Sequence, residues 1–337
     1  MAALKYDLSI PQQVGQLLIV GFDGTATSSR LGSLLTRLQP AGVILFARNI
    51  TGALQTYSLL KDCQERVSTP LFACVDMEGG SVDRLRNVIG PSPSAADVFA
   101  TRDRKLFRKH GKLIGECCRA LGFNTDFAPV VDLAFEASRT VMASRVVSAD
   151  PKQVIVYARE FLAGLRSAGM LGAAKHFPGL GEANLDTHYE LPSVSKSWNK
   201  LWAQDLAPYR TIARELNMVL VGHASYPKVT DKGLPASLSK KWITSVLREK
   251  DLCLICHQRD YVIRSYEALI REAERDSSFA RRVTESATRV LAFKKKSREL
   301  KRHVSPPTPD RLEKRSRQLW EFSEQVRLET LSRLDRA

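Results

Sequence analysis

The sequence has 337 residues, 44% of them hydrophobic, 26% charged and 7% aromatic, and 51 Lys+Arg against 36 Asp+Glu give a formal net charge of +15. These proportions belong to a globular chain, long enough for one large α/β domain with an appendage or for two ordinary domains. No apolar run nears the roughly 18 residues of a membrane span, and the start MAALKYDLSI lacks a basic region followed by an apolar stretch, so neither a spanning protein nor a secretory signal is expected.

Six cysteines are too few for a disulfide scaffold, which predicts reduced thiols and a cytoplasmic protein. The basic excess invites a nucleic-acid partner, but its distribution speaks against one. The densest cluster is Lys294, Lys295, Lys296, Arg298, Lys301 and Arg302. It closes a helical pattern, where cations complement the dipole, and no aromatic residues are interleaved as stacking platforms. A solvated helix end is predicted there.

Along the chain, short apolar runs alternate with longer amphipathic stretches. The runs are 17–22, 42–47, 71–76, 125–133, 171–177, 218–224 and 251–257, and helical patterns fall near 52–66, 102–121, 151–168, 197–217 and 237–250. Several runs are continuously apolar, as parallel strands covered on both faces should be. Asp150-Pro151 reads as an N-cap with proline at the first helical position. Repeated strand–helix alternation predicts a parallel sheet and suggests a (β/α)8 TIM-type barrel over residues 1–303. A doubly wound sheet competes structurally, but neither a G-x-G-x-x-G nor a G-x-x-x-x-G-K-[ST] motif is present. Residues 304–337 form a proline-rich break, VSPPTPD, and an amphipathic helix carrying Leu312, Leu319, Trp320 and Phe322, predicted to pack without chemistry of its own.

In such a barrel the chemistry gathers where strands end. The third run ends in Asp76-Met77-Glu78-Gly79-Gly80, with Arg84 following. A carboxylate beside two glycines suits hydrogen bonding to ligand hydroxyls, although a solvated turn explains it equally well. The fifth run ends in Lys175-His176 and enters a Pro178, Gly179 and Gly181 loop that carries Asp186 and His188. Two residues apart in a loop, a carboxylate can orient and tune an imidazole for acid/base work; alone, the triplet is weak and a surface histidine is the commoner case. His223 and His257 end later runs and read as rim histidines. No metal-ligand spacing is present, so no metal is expected.

In this order the pieces resemble the glycoside hydrolase family 3 β-N-acetylglucosaminidases of bacterial cell-wall recycling. The stretches that carry the resemblance are GVILFARNI (42–50), VDMEGGSVDRL (75–85), NTDFAPVVDL (124–133), SRVVSADP (144–151), AAKHFPGLGEANLDTHYELP (173–192) and LPASLSKKWITSVLRE (234–249). The resemblance implies a (β/α)8 barrel that removes terminal β-linked N-acetylglucosamine from muropeptides or chitooligosaccharides with retention, and no cofactor. It implies that Asp76, Arg84, Arg145, Lys175 and His176 hold the sugar, and that His188, paired with Asp186, is the general acid/base where other retaining glycosidases use a carboxyl group. The pattern is broken at Leu180, where the family usually has histidine, and at Ser81, where a basic residue is common. It also lacks the aspartate nucleophile of the seventh strand. The seventh βα unit, on the order of thirty residues, is apparently missing between Lys250 and Asp251. A noncatalytic sugar-binding relative is the alternative this gap allows.

Overall fold

The computed structural model describes residues 8–183, 191–230, 233–247, 251–256 and 258–335. Its strands are β1 (Leu18–Gly21), β2 (Gly42–Leu45), β3 (Phe72–Val75), β4 (Met77–Gly79), β5 (Val82–Asp83), β6 (Thr125–Asp126), β7 (Leu171–Phe177), β8 (Met218–Val221) and β9 (Cys253–Ile255). The chain divides into two compact units: residues 1–75, 119–125 and 250–308 form the first, and 76–118, 126–249 and 309–337 the second. Among the described residues no helix is long and apolar enough to cross a membrane.

In the first unit β9, β1, β2 and β3 lie side by side, all parallel. β1, β2 and β3 are buried along their whole length, which is why their sequences are unbroken apolar runs. Asn124 extends this order: its amide accepts from the Ala73 N–H at 2.9 Å and donates to the Leu71 carbonyl at 2.9 Å. The pattern near 52–66 is the helix Ala53–Glu65, and a further helix, Ser29–Leu38, stands between β1 and β2. Ser28 accepts from the Leu31 N–H ahead of Ser29–Leu38, which then ends on Gln39 in the left-handed region, φ 48°.

The basic cluster needs a correction. Lys294, in the helix Ser277–Lys296, is not solvated: it is 1% exposed and its ammonium donates to Gln16 Oε1 at 2.9 Å and Thr69 Oγ1 at 3.1 Å. Its aliphatic stem follows the apolar face of the helix inward, and polar side chains receive its head. Lys295 and Lys296 do face solvent.

In the second unit β7 and β8 pair in parallel, with a register shift between Lys175 and Phe177. The predicted run 125–133 is a strand only at Thr125–Asp126, after which Val130 makes an isolated bridge to Lys175. Pro129 has no N–H to give a ladder, so regular pairing stops there. Asp150 accepts from the Lys152 N–H and caps Pro151–Ser167 as predicted. The pattern 197–217 resolves into two helices, Trp198–Ala203 and Leu206–Ile212. Phe177, Tyr209, Tyr226 and Trp242 build the core here, with Phe177 edge-on to Tyr209 at 5.3 Å and to Trp242 at 6.0 Å. The final helix, Pro309–Leu334, buries Leu319, Phe322 and Val326. Trp320, grouped with that face by sequence, points away and is 67% exposed.

These elements make an α/β fold with parallel strands. Between Val221 and Cys253 the described residues contain a 3-10 turn and a π-helix, Lys241–Val246, but no strand. β8 pairs with β7 and β9 with β1, and neither has a second strand neighbour among the described residues.

Candidate active site

The second unit brings four of the sequence-predicted residues into two linked groups. The first group is built on the turn after β3. Gly79 and Gly80 have φ of +84° and +58°, and a Cβ on Gly79 would stand 2.2 Å from the Pro93 carbonyl oxygen. This turn sends Asp76 and Glu78 toward Lys175 near the end of β7. The Lys175 ammonium donates to Asp76 Oδ1 at 2.8 Å and pairs with Glu78 Oε1 at 2.6 Å. Arg145, at the end of a short 3-10 turn, grips Glu78 from the other side through Nε at 2.8 Å and Nη2 at 2.9 Å, a bidentate fork.

Burial orders these groups. The Lys175 and Glu78 side chains are 2% and 3% exposed, whereas Asp76 and Arg145 are 18% and 19% exposed. The inner pair fixes the outer two, and the outer two remain open to a ligand. Burial alone would raise the Glu78 carboxyl, but the adjacent Lys175 and Arg145 outweigh it and hold it down at about 2. Burial likewise works against the Lys175 charge, and Asp76 and Glu78 more than compensate, so its pKa is raised.

The second group is centred on Asp132. The Lys175–His176 peptide is cis, and His176 Nδ1 lies 2.7 Å from Asp132 Oδ2. Asp132 also accepts from the His176 N–H at 3.2 Å and the Leu180 N–H at 2.8 Å, and its carboxyl is wholly shielded from water. Deeper still, Asp126 accepts from the Met77 N–H at 2.9 Å with Oδ1, while its buried Oδ2 has no partner among the described residues. Burial pushes the Asp126 carboxyl well above its usual range. The Met77 N–H and Lys175 pull it down, but less than burial, with Asp76 and Glu78 nearby, pushes it up.

Arg84 is not joined to the other four by a hydrogen bond or ion pair among the described residues; its ε N–H is buried without a partner. Asp186 and His188 lie outside the described residues, as does His257. His223 is a rim residue, 2.8 Å from Ser237 Oγ through Nδ1. Sequence reading missed Glu78, Asp126 and Asp132. Glu78 sits two residues from Asp76 and could have been found by asking what neutralises a buried lysine. Asp132 ends an apolar run as the other candidates do, and strand-end position was the available signal.

Two carboxylates and two cations are locked together with a carboxylate-braced imidazole beside them, so hydrogen-bond donors and acceptors stand side by side. Residues 9–253 match the family described as glycosyl hydrolase family 3 N terminal domain. A beta-hexosaminidase of Tolumonas auensis is 34% identical over 237 residues, which cover 69% of this chain and 70% of that one. The structure of a glycoside hydrolase family 3 beta-N-acetylglucosaminidase from Paenibacillus sp. superposes with a TM-score of 0.84 at 28% identity, over 94% of this chain and 69% of that one. NagZ from Neisseria gonorrhoeae in complex with N-trifluoroacetyl-D-glucosamine shares the fold, with a TM-score of 0.68 at 22% identity over 83% of this chain and 98% of that one. The sequence and fold are thus those of a glycoside hydrolase. The chain belongs to glycoside hydrolase family 3.

Proposed function

We propose that this chain is a retaining exo-β-N-acetylglucosaminidase, acting in the cytoplasm on terminal β-linked N-acetylglucosamine of muropeptides or chitooligosaccharides. The observation that carries the reading is Lys175 held between Asp76 and Glu78, with Arg145 locking Glu78. Such a frame presents Asp76 as acceptor and Lys175 and Arg145 as donors in fixed positions, which suits a sugar ring. Arg84 and His176 complete the sugar-holding set, the first with a buried donor awaiting a partner. The printed names of the relatives and the N-acetylglucosamine analogue held by the Neisseria protein support the substrate class.

In this reading His188, paired with Asp186, protonates the leaving oxygen as the glycosidic bond breaks and then takes a proton from the attacking water. Between these steps retention needs a carboxylate to carry the glycosyl group, the role of the seventh-strand aspartate that this sequence lacks. The fold is a (β/α)8 barrel short of its seventh unit, a reading supported by β8 and β9 each having one strand neighbour. In the full sequence Lys250 is followed directly by Asp251. Asp251 does not serve as the nucleophile: it precedes β9, at the start of the strand, and is held by Arg289 at 2.8 Å.

The test is hydrolysis of a chromogenic β-N-acetylglucosaminide by the wild-type chain and by His188→Ala, alongside calorimetry with N-acetylglucosamine. Turnover by the wild type that falls at least a hundredfold in His188→Ala supports the reading. Equal rates in the two would remove the dyad, and binding without any turnover would make the chain a sugar-binding relative.

A further inference from the structure

We propose that Asp132 is a positioning residue that fixes His176 as its Nδ1–H tautomer, so that Nε2 offers a lone pair to a hydroxyl or N–H of the ligand. The inference rests on the reading of the site as a sugar site and specifies what its histidine asks of the sugar.

Geometry carries it. A carboxylate accepts hydrogen bonds and donates none. Asp132 is wholly buried and receives three N–H groups: the His176 and Leu180 backbone amides and, at 2.7 Å, His176 Nδ1. With two backbone donors already aimed at it, the carboxyl has acceptor capacity left and nothing to give, so the proton in the Nδ1–Oδ2 contact belongs to the ring. Nδ1–H in a neutral imidazole leaves Nε2 unprotonated. Among the described residues the hydrogen bonds of His176 run through its backbone N–H, its carbonyl and Nδ1, and the side chain is 17% exposed, which leaves the Nε2 lone pair for a ligand.

The chemical consequence is selective. Lys175 and Arg145 can only donate, and Asp76 can only accept. His176 adds an acceptor that carries no charge, and it pairs with a hydroxyl or amide N–H but not with a carboxylate or phosphate oxygen. A neutral sugar satisfies this set; an acidic sugar presenting its anion at this position does not. Asp132 also ties Leu180, at the start of the loop after β7, to the same carboxyl. One residue therefore sets both the ring and the backbone that follows it.

The test is ¹⁵N NMR of histidine-labelled protein near pH 7, with His176 assigned among the six histidines by a His176→Gln spectrum. Expected is a protonated Nδ1 and a bare Nε2 in the absence of any sugar. A protonated Nε2, alone or together with Nδ1, overturns the proposal. Kinetics of Asp132→Ala give a second reading: KM for a chromogenic N-acetylglucosaminide rises about tenfold, the equivalent of one hydrogen bond. An unchanged KM in a folded variant also overturns it. The NMR result needs no turnover, only a folded His176→Gln for the assignment, so failure of the tautomer and failure of the glycosidase reading are told apart.

Discussion

The Lys175 ammonium and the Glu78 carboxylate meet at 2.6 Å with both side chains almost completely withdrawn from water. Desolvating two charges is expensive, and such a pair is rarely the cheapest way to fill a core. Its use here is orientation. Because Glu78 also holds Arg145, and Lys175 also holds Asp76, a rotation of any one of the four breaks a contact of another. The two partly exposed members are therefore held on a rigid base.

Removing Glu78 tests that base. Glu78→Ala leaves Lys175 and Arg145 buried without their shared counter-charge and should destabilise the protein by about 3–5 kcal/mol. The pH dependence has a definite sign. The native carboxyl titrates at about 2 and the unfolded one near 4.5, so the stabilisation is present above the unfolded value and drains away as the pH falls from 4.5 toward 2. Acid titrations followed by circular dichroism should show the wild type losing stability in that window. Glu78→Gln, which keeps the shape, should be less stable at neutral pH and show a flatter acid limb. Parallel limbs would mean that Glu78 is not ionised in the native state.

Asp126 should behave in the opposite sense. Its native pKa is raised by burial, so the folded state prefers the protonated form, while the unfolded chain ionises in the ordinary carboxylate range. Its contribution to stability is then present at low pH and lost as the pH climbs above the unfolded value. Asp126→Asn retains an oxygen for the Met77 N–H and cannot ionise. Thermal melts should therefore show the variant gaining on the wild type between pH 4 and pH 7. A difference that stays constant over this interval would mean that Asp126 is ionised in the native protein.

The elements most legible in the sequence were those decided by burial. β1, β2 and β3 are covered throughout and read as unbroken apolar runs, and Asp150-Pro151 starts its helix where capping chemistry places it. The run 125–133 was misread because its apolarity reflects buried irregular backbone around Pro129 and not a ladder. At the candidate site, Asp76, Arg145, Lys175 and His176, which the structure brings together, were named through the family's motifs. Glu78 and Asp132 were not, since the sequence shows which carboxylates end a strand but not which cation or ring each will face. Lys294 was misplaced for a related reason: a run of three lysines looks uniform until the helix turns one of them inward.

Lys196 and Asp205 form a second buried pair. Lys196 donates to Asp205 Oδ2 at 2.7 Å, with side chains 3% and 1% exposed, and its ammonium stands 3.8 Å from the centre of the Phe135 ring. Burial raises the Asp205 carboxyl to about 6 even against the pull of Lys196. Lys196→Met removes that pull and leaves a carboxylate with no counter-charge, at a cost of about 3–5 kcal/mol when Asp205 must ionise. Below pH 6 the acid can protonate instead, so denaturant melts should show a much smaller loss at pH 5 than at pH 8. An equal loss at both values would mean that the lysine contributes packing and not charge.

Lys294 offers the cleanest case of a charge that the fold would be better without. Its partners, Gln16 and Thr69, are neutral, and burial lowers its pKa from 10.5 to about 7. Between these values the unfolded chain binds a proton that the native chain does not, so stability rises with pH from about 7 toward 10.5. Lys294→Met should fill much of the same volume. It leaves Thr69 still 3.2 Å from Gln16 Oε1, able to donate to it, so no acceptor is stranded. The variant is expected to be more stable than the wild type at pH 6, by about 1 kcal/mol or more. Because the wild type sheds its buried charge as the pH rises, the gap should narrow steadily up to pH 10. Guanidinium melts at pH 6, 8 and 10 measure it directly. A wild type that outlasts the variant at pH 6 would mean that the buried ammonium is a net stabiliser, held by Gln16, Thr69 and the Phe72 ring face 5.3 Å away.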